Sequence, residues 1–329
     1  MLFKVFGFGV GVWLLMGATL GTASPIVVDM VTVGDPGNMA EQSPLGTVGC
    51  GKVDYTYQIG KYEITNSQYC AFLNAVATTD TYELFRPEMT AFCGITQNGA
   101  AGSYSYGLDG NYASWPIRFV SWGDAARFCN WMHNAQPQGP QGLSTTEDGS
   151  YLLNGATSDS ELLAVTRRED ATWVIPSEDE WYKAAYNRPE SEYGDYYRYA
   201  TRSDDPPGQD TADSTGNNAN YLAALLQREV TQVGEFQNSY SAYGAFDMTG
   251  NVSEWNEAVQ YSGREYRGGD WGSNAFEVSS YVRNYAPPTF ENGMIGFRVA
   301  QLQAVPEPST MLLLCCAAVY GWVVWKRKA

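Results

Sequence analysis

Three times in this chain a short run of β-formers leads straight into the start of an amphipathic helix, and that repeated junction constrains the fold more than any other feature. In "YQIGKYEITNSQYCAFLNAV" (57–76), residues 57–64 read as a strand. Thr65 then takes the N-cap position with Gln68 three residues on, and Tyr69, Phe72, Leu73 and Val76 form an apolar stripe. In "PIRFVSWGDAARFCNWM" (116–132) the strand is expected over 117–120, the cap at Ser121 and its partner at Asp124. In "TWVIPSEDEWYKAAY" (172–186) the strand covers 172–175, and Ser177 pairs with Glu180. A hydroxyl at each cap can accept from an otherwise unsatisfied first-turn N–H, and the acid or amide three residues on can bond back. Further short strands are expected at 231–236, 265–268 and 296–300, while 94–115, 135–150 and 201–220 read as loops rich in Gly, Pro, Ser and Asn. A chain of this kind is α+β, with many loops and one core.

Composition narrows the function classes. The chain has 329 residues, 44% apolar and 17% charged, with 23 Tyr, 10 Trp and 34 Gly, so aromatic side chains are available to fill the space between loops. A formal charge of −16 leaves no basic stripe, and nucleic acid is excluded as a partner. Both ends read as sorting signals. Residues 1–24 combine Lys4, an apolar run and a small-residue cleavage site, the pattern of a Sec signal peptide. Residues 303–329 carry Val305-Pro306-Glu307-Pro308, a short apolar segment over 311–325 and three terminal bases. Of six cysteines, Cys315 and Cys316 lie in that tail. Cys50, Cys70, Cys93 and Cys129 remain, none in a C-x-x-C, and three disulfide connectivities are open to them.

Read in order, "YQIGKYEITNSQYCAFLNAV", "PIRFVSWGDAARFCNWM", "WVIPSEDEWYKAAY", "YGAFDMTGNVSEWNEAV", "YRGGDW" and "IGFRVA" resemble the sulfatase-modifying-factor family, the formylglycine-generating enzymes and their relatives. The resemblance covers 25–302 and implies a single loop-rich domain related to the C-type-lectin fold. The tail resembles the PEP-CTERM signal of Gram-negative bacteria. It implies processing by an exosortase-type membrane enzyme and a destination in the cell envelope, at the surface or in the extracellular matrix.

The oxidising members of the family hold copper on two cysteine thiolates just after the Gly-Gly motif. Here that segment is "GGDWGSNAFEVSSYVRN", and no cysteine occurs between 130 and 314, so copper chemistry is not expected. A two-histidine iron site is excluded by the single histidine, His133, which reads as a helix-end residue. No haem, flavin or nicotinamide is expected. The resemblance does imply a structural Ca²⁺ in "FDMTGNVSEW", held by Asp247, Gly250, Asn251, Val252 and Glu254. The competing reading has Asp247 and Glu254 capping turns and pairing with Arg283 or Arg298. A groove near Asp270, Trp271, Ser273 and Arg283 is the candidate site for a peptide or glycan ligand. The expectation is an exported, non-catalytic binding domain; the alternative is an enzyme of unrecognised, oxidoreductase-like chemistry using Asp270 and Ser273.

Overall fold

All three expected helix starts form. The computed structural model describes residues 25–303 apart from 45, 192, 213–214 and 223–228. The two sorting signals, including Val305–Pro308, lie outside the described residues; within them no helix is long and apolar enough to cross a membrane. Thr65 caps α1 (Asn66–Val76), Ser121 caps α3 (Trp122–His133) and Ser177 caps α5 (Glu178–Tyr186). Each makes the reciprocal pair of bonds with Gln68, Asp124 and Glu180. The same device opens a fourth, shorter helix, α4 (Asp159–Ala164), through Ser158 and Glu161. A further short helix, α2, spans Glu88–Phe92.

The strands divide into three small sheets. β1 (Met30–Val33), β2 (Tyr57–Gly60), β10 (Ala300–Gln301) and β5 (Trp173–Val174) form an antiparallel sheet in that order, which brings both ends of the described chain together. β3 (Ile95–Asn98) and β4 (Ser105–Leu108) make a hairpin inside the stretch expected to be loop. Its reason is local: Ile95 and Tyr106 are buried, and Asn74 of α1 bonds both backbone groups of Tyr106. The third sheet runs β8 (Asn284–Ala286), β7 (Gly263–Arg267), β6 (Ser253–Gln260), β9 (Ile295–Gly296), with β9 parallel to β6.

Three strand expectations need correcting. Residues 117–120 are not a strand, because Phe119 takes a left-handed φ of 59° that breaks the extended run. The 231–236 stretch turns at Gly234, φ 73°. The 296–300 stretch splits into β9 and β10, so the chain leaves the third sheet and enters the first within five residues.

Arg298 sits in that crossing. Its side chain is fully buried; Nε and Nη2 bond both oxygens of buried Glu254 on β6, and Nη1 and Nη2 bond the carbonyls of Gly60 and Phe246. Trp181 of α5 adds a third donor to Glu254, at 2.7 Å. Beneath this junction Phe72, Phe128, Trp131 and Phe297 pack with ring centroids 5.2–5.7 Å apart, joining α1, α3 and the crossing. Trp122, Trp181 and Trp255 are also fully buried, as core packing requires. None of the four described cysteines is bridged. Glu254→Gln leaves the guanidinium buried without its countercharge and is expected to cost about 3–5 kcal/mol in urea unfolding. Ser158→Ala, at an exposed cap, is expected to cost about 1 kcal/mol or less.

Candidate functional site

Two glycines set the position of the candidate site. Gly268 and Gly269 have φ of 92° and 68°, and a Cβ on Gly269 would lie 2.7 Å from a Val278 methyl. The corner they make lets Gly268 O accept from Gly250 N, and the turn that follows is anchored by Trp271 N on Asn251 O. Asp270, Trp271 and Ser273 therefore share one turn. Asp270 Oδ1 accepts from Gly272 N at 2.8 Å, and Ser273 Oγ accepts from Asp270 N at 3.1 Å. Burial pushes the Asp270 carboxyl above the usual carboxylate range.

This geometry makes Ser273 a turn-capping acceptor. His133, at the far end of α3, bonds Thr172 Oγ1 through Nδ1 at 2.9 Å, so no imidazole activates the serine. Arg283 stands apart from the other three. Its guanidinium lies 3.6 Å from Glu265 of β7. What the segment does present is aromatic. Phe276 and Tyr281, each 52% exposed, pair with ring centroids 5.5 Å apart. The Met294 Cε lies 3.5 Å from where a Gly272 Cβ would be.

The expected calcium loop is organised differently from its reading in the sequence. Gly250 and Val252 do sit in the turn between Asp247 and β6, but Glu254 is on the strand with both oxygens engaged by Arg298. Asn251 Oδ1 accepts from Asn220 and Thr231, and its amide donates to Glu63 Oε1 at 2.9 Å. Asp247 Oδ2 accepts from Gly234 N. The residue that sequence reasoning missed is Glu63, 2% exposed, whose Oε2 has no hydrogen-bond partner. Its pKa and that of Asp247 are both raised, first by burial; for Glu63 the next cause is the Asp247 charge, and Asp247 reaches about 6. Three buried carboxyls here face one guanidinium. An orphaned oxygen and uncompensated negative charge fit a hard cation at Glu63 and Asp247, with Glu254 excluded from the ligand set. Among the described residues no three His, Cys, Asp or Glu side chains gather as a metal site, so the remaining donors would be carbonyls and water. Glu63 carried a signal: a charge inside an apolar run, two residues before a cap.

A second acid pair, without any sequence signal, is Asp124 and Glu291, which line a pocket of about 360 Å³ with Arg86 and Arg127. Arg86 pairs with Glu291, whereas Arg127 is engaged by Glu147. Burial, then the Asp124 charge, pushes Glu291 up to about 8. A carboxyl whose folded pKa exceeds its unfolded value, 4.5 here, contributes fully at lower pH and loses that contribution as pH climbs to the folded value. Urea midpoints are therefore expected to fall between pH 5 and pH 8. Glu291→Gln should flatten that slope and gain on the order of 1–3 kcal/mol at pH 8 relative to the parent.

A loop-rich α+β domain, closed by a crossing strand and carrying a Gly-Gly corner beside an Asn-anchored turn, defines the class. The Sulfatase-modifying factor enzyme 1-like domain model matches residues 32–302, and the chain belongs to that family. The solved structure of CarF superposes with a TM-score of 0.54 at 21% identity, covering 84% of this chain and 99% of its own. Treponema denticola variable protein 1 gives 0.53 at 18% identity, covering 83% and 94%. PvdO from Pseudomonas aeruginosa is matched over 84% of this chain and 92% of its own at 20% identity, with a TM-score of 0.47. At these identities the likeness to CarF and variable protein 1 speaks for the loop-rich α+β fold alone. Among curated proteins none matches this sequence.

Proposed function

We propose that this is an exported, non-catalytic member of the family that binds a peptide or glycan against the turn after the Gly-Gly corner. The observation that carries the reading is the Phe276–Tyr281 pair. In the segment where oxidising relatives hold their thiolates, this chain has no cysteine and shows two half-exposed rings. The ligand lies on Trp271, Phe276 and Tyr281, with Asp270 and Ser273 fixing the turn that presents them. Sorting by a Sec signal and an exosortase-type enzyme places the module in the cell envelope or matrix, where it adheres to a surface polymer or protein.

Incubation of the purified protein with copper and a C-x-P-x-R peptide is expected to yield no aldehyde. Aldehyde formation would overturn the reading. On peptide and glycan arrays, the Phe276→Ala/Tyr281→Ala double variant is expected to lose at least about tenfold in affinity for any hit. Unchanged hits would place the ligand elsewhere.

The same proposal includes a structural Ca²⁺ held by Glu63 and Asp247 with carbonyls of the 250–252 turn. Calcium at 1 mM or so is expected to raise Tm by a few degrees over EDTA, and Glu63→Gln to remove the difference. Equal Tm values in calcium and EDTA would show that the cluster is neutralised by a proton instead.

A further inference from the structure

On another face, a cleft of about 620 Å³ opens between the end of α2 and the turn before α3. Its wall is aromatic: Tyr112 and Trp115 pack with ring centroids 5.3 Å apart, and Phe92, 39% exposed, stands among the lining residues. Its floor is Arg118, 2% exposed, which donates to the Phe92 and Gly293 carbonyls and to Glu229 Oε2, and lies 5.6 Å from the Phe92 ring. Glu229, paired with Arg118 at 3.2 Å, and Glu235 are also among the lining residues.

Three details distinguish this cleft from a packing defect. Trp115 Nε1 and Arg118 Nε are buried yet have no acceptor. Buried donors without partners are costly; the described residues hold others, at Arg188, Arg264 and Trp271, but here two stand beside one cleft, where a ligand acceptor would satisfy them. Phe119, the next residue after Arg118, packs tilted against Phe92 with ring centroids 5.4 Å apart while held at a left-handed φ, a strained geometry for a bulky side chain. Finally, the volume falls in the range of small-molecule sites, with apolar faces and a few convergent polar groups.

We infer that this cleft binds a neutral oligosaccharide. A pyranose ring offers an apolar face to Trp115 and Tyr112. Its hydroxyls can both accept, as the orphaned donors require, and donate, as the two carboxylates require. Glu229 and Glu235, in a chain of net charge −16, disfavour a uronic or sulfated ligand. The site is separate from the Phe276–Tyr281 turn and does not depend on that reading.

The full chain would be titrated calorimetrically with maltohexaose, cellohexaose and chitohexaose. The expected result is saturable binding of at least one, weakened about tenfold by Trp115→Ala, or roughly 1.4 kcal/mol. Trp115→Phe keeps the stacking face and loses the N–H, and is expected to weaken binding less. Glu235→Gln, at an exposed residue, provides a variant in which the fold is undisturbed and should cost a few-fold. No saturable binding of any of the three up to about 10 mM would overturn the inference. So would binding that Trp115→Ala and Glu235→Gln leave unchanged. If binding were lost in the Phe276→Ala/Tyr281→Ala variant while Trp115→Ala bound normally, the cleft assignment would fall and the turn would stand as the ligand site.

Discussion

The bidentate pair between Arg298 and Glu254 is the contact on which the arrangement of sheets depends. Arg298 occupies the three-residue crossing between β9 and β10, and Glu254 lies on β6 of the sheet being left. The remaining guanidinium bonds go to Gly60, at the end of β2 in the sheet being entered, and to Phe246 in the turn region that precedes β6. One side chain thus fixes two sheets and the loop between them. A buried pair of this kind is not a large source of net stability, because desolvation opposes the attraction. Removing either partner, however, leaves an uncompensated charge in the core.

The functional segments depend on this fixed frame. The 247–252 turn is bounded on one side by Glu254 and on the other by the Gly268 carbonyl, and Asn251 ties it to Glu63, Asn220 and Thr231. Trp271 is anchored to the same asparagine through the backbone. The candidate binding turn and the acidic cluster therefore share Asn251.

Much of this was legible in the sequence where the signal is local. Ser or Thr followed three residues later by Gln, Asp or Glu located three helix starts, because capping is decided by the residues that touch. The interior roles of the tryptophans in the motifs also followed, with Trp271, half-buried, as the exception. Less legible was anything set by distant partners. The β3–β4 hairpin hid in a glycine- and serine-rich stretch because Asn74, far along the chain, supplies its backbone bonds. For Glu254 the sequence left open a cation or an arginine, and only the fold shows that Arg298, 44 residues later, takes both its oxygens. Arg283 looked like part of the groove; in the fold its partner is Glu265 on β7, which the sequence did not signal.

The cysteines carry a last consequence. Cys70, Cys93 and Cys129 are buried on α1, after α2 and in α3, while half-buried Cys50 lies near Glu178. Burial raises all four thiol pKa values, to about 11 for Cys70 and about 12 for Cys50, so little thiolate exists at neutral pH. The folded domain therefore offers little thiolate at neutral pH for disulfide exchange. Cross-linking of these thiols is left to the unfolded chain, so rapid folding, rather than disulfide formation, is what protects them from exchange.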